Sequence, residues 1–174
     1  VSELPSGPAG VLAAAEIRRL LADEPPLASG LGDPSAQVQP NGLDVRLESL
    51  WLPNEAGRLG REERVIPARR EVPFDEAGWL HLQPGAYVIR FSETVYLPLD
   101  LMAFGFPRSS LLRAGCALLH AVWDAGYRGR SEALLTVWNP AGFDIQQGAR
   151  IAQLVFLRLT RATEGYRGAF QGES

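Results

Sequence analysis

The chain predicts a mostly β protein, a sandwich or barrel with one short helix near its start. Three observations carry that prediction. From Trp79 onward, apolar runs of mostly four to eight residues recur between Pro, Gly and Asp: WLHLQPG, AYVIRFSETVYL, LMAFGF, CALLHAVW, ALLTVWN and ARIAQLVFLRL. Enriched in Val, Ile, Leu and aromatics, they read as many short strands of one domain rather than alternating β and α units. Upstream, LDVRLESL alternates, placing Leu43, Val45, Leu47 and Ser49 on one face and Asp44, Arg46 and Glu48 on the other. Lastly, VLAAAEIRRLLADE has helical spacing through Leu12, Ile17, Leu20 and Leu21, and Pro25 and Pro26 stop it.

The remaining segments fall between these elements. Residues 1–10, rich in Gly, Pro and Ser, read as a loose arm, and residues 27–42 are mostly turn formers. The segment 54–71, NEAGRLGREERVIPARRE, is charged and contains glycine, as suits an exposed hairpin or excursion. The tail ATEGYRGAFQGES is too polar and Gly-rich to add much core, yet it carries Tyr166 and Phe170 on either side of Arg167. A flexible motif over about 163–174 that closes on a ligand fits this composition. With 174 residues and no repeats, residues 1–174 read as a single domain.

Composition narrows the function classes. Apolar residues make up 46% and charged residues 21%, as in a soluble globular protein. The net charge of −3 provides no chain-wide positive field for nucleic acid or an acidic membrane. All 17 basic residues are arginines, so any polyanion must be met by a local cluster of their rigid forks. One cysteine excludes an internal disulfide, and Cys116 in GCALL reads as a buried small hydrophobe. No apolar run approaches about 18 residues, and the start lacks a signal pattern. The expectation is a soluble, cytoplasmic protein without a nucleic-acid or membrane partner.

The chemistry concentrates between Phe106 and Asn139, in PRSSLLRAG and WDAGYRG. Arg108 and Arg113 offer cationic forks with the hydroxyls of Ser109 and Ser110 beside them, a set suited to phosphate. Asp124 offers a carboxylate suited to activating water or holding a metal. An arginine-capped loop and a surface turn would have the same residues.

Taken in order, NGLDVRL (41–47), PRSSLLRAG (107–115), WDAGYRG (123–129), GARIAQLVF (148–156) and YRGAFQG (166–172) resemble the deoxyuridine triphosphatase (dUTPase) and deoxycytidine triphosphate (dCTP) deaminase superfamily. The resemblance spans nearly the whole chain, including the EIRRLL helix and the PGAYVIRFSETVYLPLDLMAF lead-in. It implies a distorted jelly-roll β-barrel and a homotrimer with sites at subunit interfaces. It also implies a deoxyribonucleoside triphosphate substrate, Mg2+ and a tail that covers a neighbour's site. Arg108, Ser109 and Ser110 then match the phosphate-contacting motif, and Gln153 the glutamine near nucleotide and phosphate. Tyr127 matches the aromatic against deoxyribose. Phe170, with Arg167 near it, matches the tail aromatic over the base. Gly129 and Gly168 keep the approaches clear. Asp44 matches an early acid that holds metal-bound water.

The resemblance leaves the reaction open between branches. As a hydrolase, Asp124 would direct water at the α-phosphorus of dUTP, giving dUMP and pyrophosphate. As a dCTP deaminase, or a bifunctional enzyme, the chain would use Arg113, since PRSSLLRAG is closer to the deaminase form. That branch needs a glutamate three residues before the Asn ending the hairpin, and here Thr136 stands there, with Asn139 two residues later than usual. Glu132, four residues before Thr136, is the only nearby substitute. A zinc-type deaminase is excluded, because His81, His120 and Cys116 lack the required spacing. Thr cannot shuttle protons as a carboxylate does, so dUTP hydrolysis is favoured. A non-catalytic nucleotide binder is the third reading.

Overall fold

The computed structural model of the chain describes residues 9–172. The short apolar runs become strands, all antiparallel. The principal sheet runs Gly10–Val11, Arg150–Arg158, Gly42–Pro53, Gly85–Phe91, Glu132–Val137 and Cys116–Leu119. Leu101–Pro107 also pairs with Arg150–Arg158, and Val38–Gln39 and Arg69–Glu71 pair with Gly42–Pro53. A three-stranded sheet of Arg128–Gly129, Thr94–Tyr96 and Ala28–Ser29 lies beside it. The architecture is the mostly β, distorted jelly roll expected. Its interior is closed by Leu43, Leu47, Leu50, Ile89, Leu101, Leu135, Leu154 and Phe156, all at most 1% exposed. Burying side chains of this size contributes about 1.5–3 kcal/mol each relative to exposure.

Local departures from the sequence reading have physical causes. A bulge between Leu47 and Ser49 resets the alternation of the Gly42–Pro53 strand, so Leu50 is buried and Ser49 is not on the leucine face. The loose arm expected over 1–10 is a strand at its end, since Gly10 and Val11 pair with Arg158 and Leu157; residues 1–8 lie outside the described residues. The helix is shorter than its pattern, Ala14–Leu21, with Ile17 fully buried. Among the turn formers, Pro34–Gln37 is a short helix whose first amides at Ser35 and Ala36 donate to Asp33 Oδ1. The segment 54–71 does fold back on itself, through the exposed hairpin Arg58–Leu59 with Arg64–Val65. Among the described residues no helix is long and apolar enough to cross a membrane.

A buried polar network braces the start of the Gly42–Pro53 strand. Glu93, fully buried, accepts from the Arg46 amide at 2.8 Å, Arg46 Nε at 2.7 Å and Gln37 Nε2 at 2.8 Å. Gln37 also donates to the Asp44 carbonyl at 2.9 Å. A buried charge is tolerated when its lone pairs are filled in this way, and the network fixes the backbone that carries Asp44.

Candidate active site

Two clusters hold the predicted functional residues. The first surrounds Asp44, which lies at the neck where three strands meet: Gln153 is in register with both Asp44 and Phe106. Its carboxylate is 2% exposed, and Oδ2 lies 3.3 Å from both Arg108 Nε and Arg150 Nη1. Burial raises the Asp44 pKa more than Arg108 and Arg150 lower it. Gly42 is required for this packing: a Cβ there would sit 2.5 Å from the Leu154 carbonyl and 2.8 Å from Gln153 Cγ. Arg108 is the N-cap of a one-turn helix, Ser109–Arg113, so PRSSLLR is a strand end and helical turn rather than a loop. Ser109, Ser110 and Arg113 are exposed on that turn. Arg150, which was not singled out in the sequence, completes the cluster and donates to the Ala36 carbonyl.

The second cluster lines a cavity of about 430 Å³ beside the WDAGYRG hairpin. Asp124, Tyr127 and Phe170 line it as the sequence suggests, together with Ser131, Glu132 and Tyr166. Its wall is ordered by a hydrogen-bond chain: the Trp123 indole donates to Ser131 Oγ, which donates to the Tyr127 hydroxyl at 3.2 Å. The Tyr127 ring meets Tyr166 edge-on at 5.7 Å. Gly126, at φ +80°, lies where a Cβ would be 2.8 Å from Gly165 Cα, so only glycine lets the tail approach the hairpin.

The two carboxylates of this pocket differ sharply. Glu132 is bound by Arg69, with Nη1 at 2.6 Å and Nη2 at 2.8 Å, and by Arg90 Nη2 at 2.9 Å. Both guanidiniums stack over Trp51, at 4.3 and 5.1 Å from its ring centroid. Although burial opposes it, this donation holds the Glu132 carboxyl below the usual range. Asp124, by contrast, is exposed and makes no ion pair among the described residues. Arg69 and Arg90 escaped the sequence reading because one lies in the charged excursion and the other on a distant strand. Only the register, with Glu132 opposite Arg90, brings them together.

The nearby residues with weaker claims are also placed. His120 stacks beside Phe91 and Trp123, and Cys116 is buried, with burial raising its thiol pKa. Thr136 keeps its hydroxyl buried without a hydrogen-bond partner among the described residues. Arg167 is exposed, its head group near Glu164. Gly129 pairs with Val95 beneath the hairpin.

The residues present do not fit a resident metal. Among the described residues no three His, Cys, Asp or Glu side chains converge. The acid expected to hold metal-bound water, Asp44, already faces two guanidiniums. A hard cation needs several oxygen ligands, which no cluster of the described residues supplies.

The clusters are also separated. Met102 lines a second cavity with Asp124, and from there Arg108 lies six residues along the same strand and its end, about 20 Å at strand rise. One chain therefore presents its arginine cluster and its acid at different ends.

Comparison with known proteins identifies the family. A family model described as dCTP deaminase-like matches residues 11–159. A probable deoxyuridine 5'-triphosphate nucleotidohydrolase of Methanosarcina mazei is 44% identical over 167 residues, covering 94% of this chain and 98% of the relative. A protein of the same description from Archaeoglobus fulgidus is 42% identical over 166 residues, covering 94% and 97%. The crystal structure of 2'-deoxycytidine 5'-triphosphate deaminase from Agrobacterium tumefaciens superposes with a TM-score of 0.66 at 25% identity. That alignment covers 86% of this chain and 48% of the deaminase, so the chain spans about half that protein's length. The family model and these relatives cover nearly the whole chain: it belongs to the dUTPase/dCTP deaminase-like superfamily.

Proposed function

We propose that the protein is a dUTP diphosphatase that releases dUMP and pyrophosphate. The observation that carries this reading is the contrast between two acids in one pocket. Asp124 is exposed and makes no ion pair among the described residues, whereas Glu132 is committed to Arg69 and Arg90. A carboxylate that receives three guanidinium N–H bonds is a poor proton shuttle, which weighs against deamination through Glu132. A free carboxylate beside a pocket can accept a proton from water. The water oxygen then bonds to the α-phosphorus as the bridging oxygen leaves with pyrophosphate, and the water proton passes to Asp124. Carboxylates are weak bases in water, so most of the acceleration comes from holding water and phosphorus in line.

The other residues take supporting roles. Arg108, Ser109, Ser110 and Gln153 grip the triphosphate, and Asp44 fixes the Arg108 fork rather than binding metal. Magnesium enters as part of the substrate, carried on the phosphates. The Tyr127 ring faces the sugar, and Tyr166 and Phe170 enclose the base. Because the arginine cluster and Asp124 lie at different ends of one chain, the complete site forms between subunits of a homotrimer, each contributing one half. The relatives described as probable deoxyuridine 5'-triphosphate nucleotidohydrolases support the choice of dUTP. Deamination is the second reading, favoured by the likeness to a dCTP deaminase structure and by Arg113 in the PRSSLLRAG turn.

Product analysis with dUTP and dCTP in parallel, with magnesium and with chelator, tests the proposal. The expected result is dUMP and pyrophosphate from dUTP and no ammonia from dCTP. Ammonia from dCTP would move the assignment to the deaminase branch, and nucleotide binding without either product would make the protein a non-catalytic binder.

A further inference from the structure

The tail is seated on its own chain against the Asp124 hairpin, and a segment outside the recognised motifs meets its aromatic ring from the other side. Thr163 N donates to the Leu99 carbonyl at 2.9 Å, and Tyr166 N to the Ala125 carbonyl at 2.7 Å. The Gln171 side chain then bridges the hairpin backbone as a strand residue would. Its Oε1 accepts from Arg128 N at 3.0 Å, and its Nε2 donates to the Gly126 carbonyl at 2.9 Å. Gly172 N closes the clasp on the Arg128 carbonyl at 2.8 Å. These bonds hold Tyr166 and Phe170 at the cavity that Asp124 lines. From the other side, the exposed Arg58–Val65 hairpin places the Arg64 guanidinium over the Phe170 ring, 5.2 Å from its centroid. The exit of the same excursion reaches the same cavity, through Arg69 on Glu132. An otherwise solvated excursion of 54–71 thus touches the pocket twice.

We propose that the Arg58–Val65 hairpin is the dock for the chain's own tail, with Arg64 and Gln171 as the positioning residues that set Phe170 over the nucleotide. This rests on the diphosphatase reading for its substrate. It departs from the expectation that a tail covers a neighbour's pocket: here pocket acid, tail and dock belong to one chain, and the neighbour supplies the arginine cluster. A cation over an aromatic face and two side-chain amide bonds are individually weak, as suits a cover that must open for product release.

The test compares Arg64→Ala, Arg64→Lys and Gln171→Ala with the wild type, reading kcat and KM for dUTP and the Kd of a non-hydrolysable imido-dUTP by calorimetry. Arg64→Ala should raise KM and Kd roughly 2- to 5-fold with kcat and the thermal midpoint little changed, and Arg64→Lys should restore most of the loss. Gln171→Ala should raise both by about 10-fold, from two lost bonds. Unchanged KM and Kd in Arg64→Ala, or a loss that lysine does not restore, would overturn the dock. A mixing experiment tests the own-chain seating. Full-length Asp124→Asn chains are co-assembled with chains that keep Asp124 but carry Phe170→Ala and Gln171→Ala. Own-chain seating predicts no activity beyond the sum of the two parents, and recovery of activity would place the tail on the neighbour and overturn it. If the wild type turned over no dUTP, the diphosphatase reading would fail while the Kd series still decided the dock.

Discussion

The acid sensitivity of the fold can be predicted from one ring. His120 lies against Phe91 and Trp123, with ring centroids 6.0 and 5.3 Å away, and neither ring nitrogen has a hydrogen-bond partner among the described residues. Burial therefore penalises its charged form and brings its pKa down from 6.5 to about 4. A histidine with a depressed folded-state pKa binds its proton more readily in the unfolded chain. Stability is thus present above the unfolded value and falls as pH drops from about 6.5 towards 4. Integrating that difference gives a loss of about 2 kcal/mol between pH 7 and pH 5, and about 3 kcal/mol by pH 4.

Between pH 7 and pH 5 a comparison with His120→Phe separates this residue from the chain's other ionisable groups, including His81 beside Asp144. The lowered Glu132 and Glu16 carboxyls lose their contribution only as pH falls through the carboxylate range, below about 4.5. Asp44, whose pKa is raised, moves the opposite way, gaining its proton first in the folded chain. Urea unfolding followed by tryptophan fluorescence, at fixed protein concentration and pH 7, 6 and 5, measures the slope. The control is His120→Phe, which keeps an aromatic ring in the stack and removes the titration. Its absolute stability is secondary, since Gly105 leaves little spare room beside the ring. A wild-type slope that survives His120→Phe would refute the reasoning, as would a wild type equally stable at pH 7 and pH 5.

Four further outcomes follow from the site. Asp124→Asn should abolish dUMP release while leaving imido-dUTP binding within a few-fold, measured by pyrophosphate assay and calorimetry. Glu132→Gln should lower stability by about 2 kcal/mol, because two guanidiniums lose their charged acceptor, yet keep kcat for dUTP within a few-fold; a drop of about 100-fold or more would mark a proton shuttle. Gly42→Ala should cost about 1–3 kcal/mol by overpacking the Gln153 strand and raise KM, read from paired denaturation and kinetics. Asp44→Asn should raise KM for dUTP at saturating magnesium without changing the magnesium dependence; a shifted magnesium dependence would restore a metal role.

Much of this was legible in the sequence for a definite reason. Strand-length apolar runs are local patterns, so the β class, the helix around Ile17 and the exposed excursion could be read residue by residue. Asp124 and Tyr127 could be read together because they lie on one hairpin, whereas Ser131, which also lines the cavity, was not singled out. The partners of Glu132 were not, because Arg69 and Arg90 are 63 and 42 residues away in sequence and meet it only through strand register. The bulge that displaces Ser49 was equally hidden, since one inserted residue inverts every later side chain without altering composition. Nor could spacing show that Arg64 reaches Phe170, a contact between two polar, Gly-containing segments with no periodicity of their own.

The absence of lysine gives the charge arrangement a consequence for mechanism. An arginine does not give up its proton in the physiological range, so a carboxylate paired with one faces a permanent cation. Glu132, Asp44, Glu93, Asp100 and Glu48 are each committed in this way, to Arg69 and Arg90, Arg108 and Arg150, Arg46, Arg158 and Arg130 respectively. Asp124 lines the pocket without such a partner among the described residues. The Asp44 cluster does the complementary work. Two guanidiniums surround one buried carboxylate, which offsets the repulsion between Arg108 and Arg150. Under the proposed diphosphatase reading, a base without a cation and a cation site steadied by one acid act on the same phosphate chain from different ends of a subunit. If the proposed diphosphatase assembles as a homotrimer, assembly controls the chemistry: a dissociated chain would retain its pocket, its tail and Asp124, but lack the charge that holds the α-phosphorus in line.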